Sequence, residues 1–286
     1  MKPSRLDGID AGRGLAALSV FVFHYGAGAA LVRVTGWPGF SYLSWPGSQL
    51  AVPVFFVISG FCIHYGALIR RGAFDVPRFY AHRFFRIYPP WLVAIAVSVV
   101  ALIANGESPS FRQIVTHLTL TNGFFDDYGL NVALWSVSVE AFLYLVYPLW
   151  LAVRQRYGLR LAGFLAAGVS ATSAGVTTWF HPAPSGPAIW LFTTVWCGWV
   201  AGAVLAELWF GPRRLMFYRA GWWLAGLLAG SLYCGLAAGG YYAGGFGAFI
   251  RLPILISLCV WPVTLLLVIG EELQASPRAG LSRVWS

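Results

Sequence analysis

Two ionisable side chains lie within long apolar stretches of this sequence. His24 falls in the first stretch, eleven residues after Arg13, and Glu140 falls in the fourth. On an α-helix eleven residues make about three turns, so Arg13 and His24 share one face about 16 Å apart. A neutral imidazole accepts protons, and a carboxylate beside it fixes its tautomer and raises its basicity. We therefore interpret His24 as a candidate general base with Glu140 as its orienting partner; the alternative is that His24 forms a hydrogen bond between packed helices.

Glu140 belongs to a polar stripe on an otherwise apolar segment. The members of the stripe are spaced four, four and three residues apart, which places them on one face of a helix: Ser136, Glu140, Tyr144 and Tyr147. An unpaired carboxylate is costly within a membrane, and helix packing seldom requires one. The stripe therefore favours a functional site, and we expect Ser136 and Tyr144 to contact a substrate.

A cationic group follows the second apolar stretch. Arg83 and Arg86 are three residues apart, so they project from one face of a helix, and Arg78 and His82 extend the same patch. Guanidinium groups bind phosphate through two hydrogen bonds at once, so the patch predicts an anion site for a cytoplasmic ligand. The alternative is purely topological, because arginines and aromatic residues also accumulate at the cytoplasmic edge of membrane proteins.

The composition indicates whether water or lipid surrounds the chain. Of the 286 residues, 58% are hydrophobic and 10% are charged, whereas soluble domains carry about 25% charged residues. The chain is therefore predicted to be an integral membrane protein in contact with the lipid bilayer. The net charge of +9 would indicate a nucleic-acid partner only in a soluble domain, and we expect none here. The four cysteines lie in apolar segments without metal-ligand or disulfide spacing, so no metal is expected: Cys62, Cys197, Cys234 and Cys259.

The elements that must position these residues are membrane-spanning helices. A helix needs about 20 apolar residues to cross a bilayer, and the sequence contains eight segments near that length: 14–33, 48–69, 88–104, 132–153, 159–179, 188–209, 221–240 and 250–269. We expect an all-α, polytopic transmembrane bundle of about eight spans, forming a single domain over residues 1–286. The longest outer loop, 105–131, contains a possible interfacial helix around Phe111 to Leu120.

The basic residues predict the orientation. With eight spans, all but three of the 19 Lys and Arg residues fall on the side of the N-terminus. The three exceptions are Arg33, Arg112 and Arg251. Because cytoplasmic loops carry the excess of Lys and Arg, both termini are predicted to be cytoplasmic.

Three further features are interpreted as structural. The Ser59–Gly60 pair in the second span is typical of a packing notch between helices. His64, near the inner end of that span, is expected at the membrane interface. Glu207 is expected to reach out of its span towards the arginines at 213–214.

The sequence resembles acyltransferase family 3, a family of membrane O-acyltransferases. The resemblance rests on four stretches that follow the family's order through the first half of the chain: the Asp7-to-His24 opening, Phe55–Phe61, the Arg83-Phe84-Phe85-Arg86-Ile87-Tyr88-Pro89 run, and Leu134–Glu140 continuing to Tyr147-Pro148. The second half matches only in having hydrophobic spans.

This resemblance implies acyl transfer from a cytoplasmic donor, acyl-CoA and usually acetyl-CoA, to a hydroxyl of a cell-envelope saccharide or glycolipid. It implies that His24 is the catalytic base and that Arg13, Arg83 and Arg86 bind the donor. A multi-pass protein of the bacterial inner membrane is expected. Family members commonly have about ten spans, so this chain is expected to lack the last two.

Two other classes remain open. A transporter or flippase for a polar glycan or lipid would use His24 and Glu140 as a proton relay, but would leave the Arg83 and Arg86 spacing unexplained. A non-catalytic assembly subunit is the other alternative.

Overall fold

The computed structural model describes residues 7–44, 51–70, 73–123, 125, 129–180 and 191–210. All regular structure in these ranges is helical, which confirms the all-α class. The α-helices are α1 Asp7–His24, α2 Ala27–Thr35, α3 Ala51–Leu68, α4 Val76–Ala104, α5 Phe111–Leu118, α6 Trp135–Tyr157, α7 Leu159–Phe180 and α8 Leu191–Phe210, with 3₁₀ helices at Pro38–Ser44 and Val132–Leu134. The chain forms two compact units, Met1–Tyr65 with Gly198–Ser286, and Gly66–Cys197. Each is described by itself.

In the first unit the predicted span 14–33 is not one straight helix. The chain turns at Tyr25 and Gly26, and α1 and α2 meet at 59°. Gly26 has φ 62°, a left-handed conformation that glycine adopts at little cost. The correction matters for the site because His24 is the last residue of α1, directly before the break.

Small residues bring α3 against the part of α8 in the first unit. A Cβ added to Gly60 would lie 1.9 Å from the carbonyl oxygen of Trp199, and one added to Gly202 would lie 1.9 Å from that of Val57. The indole N–H of Trp199 donates to Ser59 Oγ at 3.4 Å. The packing role predicted for Ser59–Gly60 is therefore confirmed, because only glycine permits backbones to approach this closely.

In the second unit α4 is longer than the predicted span 88–104. Asp75 caps its first turn by accepting the N–H of Arg78 at 3.0 Å, and Pro77 lies in that turn, where the missing proline N–H costs nothing. Residues 76–87, which precede the predicted span 88–104, therefore belong to the same 29-residue helix as that span. Arg83 and Arg86 do share a helix, as their spacing predicts.

The two faces of α4 have opposite character. Trp91 and Ile95 are buried on one side, whereas the opposite side exposes a row of aliphatic residues, each at least 59% exposed: Val93, Val97, Val100 and Ile103. Such a row would be unfavourable in water and is typical of a lipid-facing surface. The row supports an integral membrane protein.

The span count is confirmed only in part. Among the described residues, α4 and the stretch Val132–Tyr157 are long and apolar enough to cross a membrane, and the bent pair α1–α2 makes a third if it is one broken span. The predicted interfacial helix is present as α5, with a Ser110–Gln113 capping box. The predicted spans at 221–240 and 250–269 lie outside the described residues, and the cytoplasmic orientation of the termini stays a prediction.

The α3–α8 contact predicts the effect of a single methyl group. Gly60→Ala is expected to lower the free energy of unfolding by about 1–3 kcal/mol, because the new Cβ must displace main-chain atoms of α8. Gly66→Ala, on the same helix, is the matched control, since a Cβ there meets no heavy atom within 4 Å. Thermal unfolding of the purified variants in detergent measures both effects, and equal midpoints would contradict this packing.

Candidate functional site

Three of the residues predicted to form a site lie together in the second unit. The Tyr144 hydroxyl donates a hydrogen bond to Oε1 of Glu140, one turn earlier on α6. The guanidinium carbon of Arg83 lies 5.5 Å from the centroid of the Tyr144 ring. We call this group the Arg83–Tyr144–Glu140 cluster. It combines a cation, a phenol and a carboxylate contributed by α4 and α6.

The cluster is enclosed rather than displayed on the surface. Tyr144 is 8% exposed, and Arg83 and Glu140 are half-buried. Nε of Arg83 is buried without a hydrogen-bond partner, although its guanidinium lies within electrostatic range of Glu140 and Arg86. A buried guanidinium N–H without a partner is a strong donor to an anion that reaches it.

Aromatic packing holds α4 and α6 in register around the cluster. Phe79 is buried beneath Arg83, its ring 5.7 Å from the guanidinium carbon, and it contacts the ring of Tyr147, which is also buried. The Tyr80 hydroxyl donates to the carbonyl oxygen of Leu145 at 2.8 Å. Because cation–π attraction strengthens as water is removed, this enclosure favours one position for Arg83.

Two other residues of this unit that were predicted to form the site do not take part in the hydrogen bond of the cluster. Arg86 is exposed one turn after Arg83 on α4. The Ser136 hydroxyl donates to the carbonyl oxygen of Ala133 at 3.4 Å, at the junction between the 3₁₀ helix Val132–Leu134 and α6. The polar stripe therefore divides, because its first member bonds to the preceding turn while Glu140 and Tyr144 bond to each other.

Arg13 and His24 belong to the first unit. Both lie on α1, so the predicted common helix face is confirmed, with Arg13 half-buried and His24 exposed. His24 ends the helix, where main-chain carbonyls lack helical partners and a positive charge is favoured. The pairing of His24 with Glu140 joins residues of different units and stays a prediction.

A second acid–imidazole pair was missed from the sequence. His64 is 0% exposed, and its Nε2 lies 2.8 Å from Oε1 of Glu207, which is 15% exposed. His64 is therefore buried within the protein, and Glu207 bonds to it inside the α3–α8 contact. The depth of His64 relative to the membrane interface stays a prediction. This pairing was missed because each residue was interpreted from its own helix alone, and the arginines at 213–214 expected near Glu207 lie outside the described residues. The only sequence signal was that each interrupts an apolar stretch.

The described residues contain no group of three or more His, Cys, Asp or Glu side chains arranged to hold a metal ion.

Comparison with known proteins identifies relatives over most of the chain. The sequence profile of acyltransferase family 3, described as an acyltransferase domain, matches residues 6–282. Acyltransferase MdmB of Streptomyces mycarofaciens is 27% identical over 258 residues, covering 82% of this chain and 63% of that protein. Nodulation protein 10 of Rhizobium leguminosarum bv. viciae is 27% identical over 214 residues, covering 64% of this chain and 55% of the relative. The chain thus spans less than two thirds of either relative, and no solved structure matches it.

The His64–Glu207 pair predicts a non-additive stability effect. His64→Leu or Glu207→Leu alone is expected to lower the free energy of unfolding by about 3 kcal/mol, because each leaves a buried polar partner behind. The double variant is expected to lose less than the sum of the two, since it leaves neither group unpaired. A double-mutant cycle of thermal unfolding measures the coupling. Strict additivity would show that the two side chains do not interact.

Proposed function

This chain belongs to acyltransferase family 3, and on that premise we propose that it transfers an acyl group from acyl-CoA to a hydroxyl of a cell-envelope saccharide. Acetyl-CoA is the simplest donor. The observation that carries the proposal is the Arg83–Tyr144–Glu140 cluster, which provides a half-buried guanidinium with an unpaired N–H on the helix that also presents Arg86. A phosphate-rich donor is the ligand that such a group favours.

The donor is proposed to bind at the N-terminal half of α4. Arg86 is exposed and meets the donor phosphates first, whereas Arg83 holds them closer to α6. Arg13, eleven residues before His24 on α1, completes the cationic set. Because the positive-inside rule places this end of α4 in the cytoplasm, the donor is proposed to enter from that side of a bacterial inner membrane.

The reaction is proposed to need one base and one positioned thioester. The acceptor hydroxyl oxygen attacks the thioester carbonyl carbon while His24 takes its proton, the C–S bond breaks, and the proton passes to the departing thiolate. Glu140 is proposed to orient the imidazole and to favour its charged form. Ser136 and Tyr144 are proposed to contact the substrate, Tyr144 through the ring that also packs against Arg83.

One observation favours a second candidate function. The break between α1 and α2 lies directly after His24, and interrupted helices beside an ionisable residue also occur at the substrate sites of transporters. A transporter or flippase would use His24 and Glu140 as a proton relay and would not consume acyl-CoA. Chemical transfer of label therefore separates the two candidates.

The first test of this function is the transfer of labelled acetyl from acetyl-CoA to envelope carbohydrate by membranes containing the protein. His24→Ala is expected to lower this transfer at least about 100-fold, because a positioned general base contributes roughly 10²–10⁴-fold. Leu18→Ala, exposed on the same helix, is the control and is expected to retain activity. Full activity in His24→Ala, with normal insertion, would remove this mechanism.

A second test separates donor binding from topology. Arg83→Ala and Arg86→Ala are each expected to raise the KM for acetyl-CoA about tenfold, since a hydrogen bond to a charged group contributes roughly 1.5–3 kcal/mol, and to leave the acceptor KM unchanged. Arg156→Ala removes an exposed arginine at the last turn of α6 and is the control for lost charge. Equal donor KM values in all three variants would show that Arg83 and Arg86 serve only orientation in the membrane.

A further inference from the structure

Two fully buried polar side chains, at the end of α5 and in the turn that follows it, have side-chain atoms without a hydrogen-bond partner. His117 and Asn122 are both 0% exposed. Nε2 of His117 and both side-chain amide atoms, Oδ1 and Nδ2, of Asn122 are buried and unbonded. Native proteins leave few such groups unpaired, and an exception indicates a missing water, ion or ligand. The two residues therefore mark a candidate binding site separate from the cluster around Arg83.

The backbone brings the two residues into one closed turn. The N–H of Asn122 donates to the carbonyl oxygen of Thr116 at 3.1 Å, and the N–H of Leu120 donates to that of His117 at 3.0 Å. The indole N–H of Trp91 also donates to the His117 carbonyl at 2.8 Å, and its ring stacks with the imidazole at a centroid distance of 6.3 Å. His117 is thus held from α4, and the backbone of Asn122 is held by its hydrogen bond to Thr116 of α5.

The hydrogen-bonding capacity of the pair matches a hydroxyl group. Nδ1 of His117 lies 2.7 Å from the carbonyl oxygen of Gln113, which can only accept, so we assign the ring proton to Nδ1 and a lone pair to Nε2. Asn122 adds one acceptor oxygen and an amide with two donor hydrogens. A hydroxyl can donate to either acceptor and accept from the amide. An anion can only accept hydrogen bonds, so it would leave the lone pairs on Nε2 of His117 and Oδ1 of Asn122 without donors.

The pair lies along the same helix seam as the cluster around Arg83. Trp91 lies eight residues after Arg83 and about 12 Å further along α4. It belongs to a buried cluster with Ile95 and Leu130, against which Val137 of α6 and Leu120 pack. The Tyr88 hydroxyl donates to the carbonyl oxygen of Leu118 at 3.1 Å. The donor arginines and the buried pair therefore lie at different levels of one α4–α6 contact.

We propose that His117 and Asn122 bind a hydroxyl-bearing edge of the saccharide acceptor. The proposal rests on the function proposed above, since it assigns the acceptor to the end of the α4–α6 seam away from the donor arginines. Both partners then approach one reaction centre from opposite ends. A neutral ligand with several hydroxyls can both donate to Nε2 and Oδ1 and accept from Nδ2, which an anion cannot.

The experiment measures sugar binding without requiring turnover. Wild-type protein is purified in a detergent without a sugar headgroup, and its thermal unfolding midpoint is measured with methyl glycosides of glucose, galactose, mannose, N-acetylglucosamine and rhamnose, and with glycerol as an open-chain control. Asn122→Leu removes the amide at nearly constant volume. Asn105→Leu is the matched control, because the Asn105 amide is exposed and already donates to the carbonyl oxygen of Ala101 at 2.8 Å.

At least one glycoside is expected to raise the midpoint of wild type and of Asn105→Leu, and to leave that of Asn122→Leu unchanged. In the transfer assay with that glycoside, Asn122→Leu is expected to raise the acceptor KM about tenfold with the KM for acetyl-CoA unchanged. If Asn122→Leu does not fold, Asn122→Ser and His117→Gln are measured in the same way.

Three outcomes would overturn the proposal. In the first, no glycoside raises the unfolding midpoint of wild type. In the second, the rise in midpoint persists in Asn122→Leu and in His117→Gln. In the third, Asn122→Leu has a higher midpoint than wild type and every rise caused by a glycoside is retained, which would mean that the pair holds only water. A glycoside shift that Asn122→Leu abolishes, without any label transfer, would support the sugar site while refuting acyl transfer. Label transfer together with a midpoint shift that Asn122→Leu does not change would support acyl transfer while refuting the sugar site.

Discussion

A charged group inside an apolar helix bundle must find a partner, and this requirement decides how the polar residues of both units are arranged. Removing a carboxylate from water costs several kcal/mol unless hydrogen bonds and opposite charge replace the lost hydration. In the second unit Glu140 accepts from Tyr144, whose ring faces Arg83. In the first unit Glu207 bonds to His64. Each acid thus has a hydrogen-bond partner, but their surroundings differ. Glu207 is paired within a tight helix contact, whereas the cluster that contains Glu140 retains an unpaired N–H on Arg83. That difference is why the second is proposed as the site of chemistry.

Features that depend on spacing within one helix could be predicted from the sequence. The four-residue interval between Glu140 and Tyr144 requires them to lie one turn apart, and they do bond to each other. The eleven-residue interval between Arg13 and His24 likewise requires one face of α1, and the helix is continuous between them. The composition predicted an all-helical membrane protein because no water-facing surface can be built from so few charges. In each case local periodicity alone fixes the geometry.

Features that depend on contacts between distant segments could not be predicted. His64 and Glu207 are 143 residues apart, and no helical period relates them, so His64 was expected at the membrane interface and Glu207 near the arginines that follow it. The start of α4 was misplaced for a different reason: hydropathy detects where a helix enters lipid, whereas Asp75 determines where its hydrogen bonding begins. The break after His24 needed one left-handed residue, Gly26, and glycines are too common in apolar helices for one to mark a break.

The levels along the α4–α6 seam explain how one helix pair can serve two substrates. Phe79 contacts Tyr147 and Arg83 lies over Tyr144, whereas Val137 packs against the buried cluster around Trp91, so the helices run antiparallel. Glu140 lies one turn from Tyr144 towards the Trp91 end, a rise of about 6 Å, which is roughly half of the distance from Arg83 to Trp91 along α4. The carboxylate therefore lies between the level of the proposed donor site and that of the buried His117–Asn122 pair. A group that must act where donor and acceptor meet belongs at this intermediate level. The same antiparallel packing that gives Glu140 its partner gives it this position.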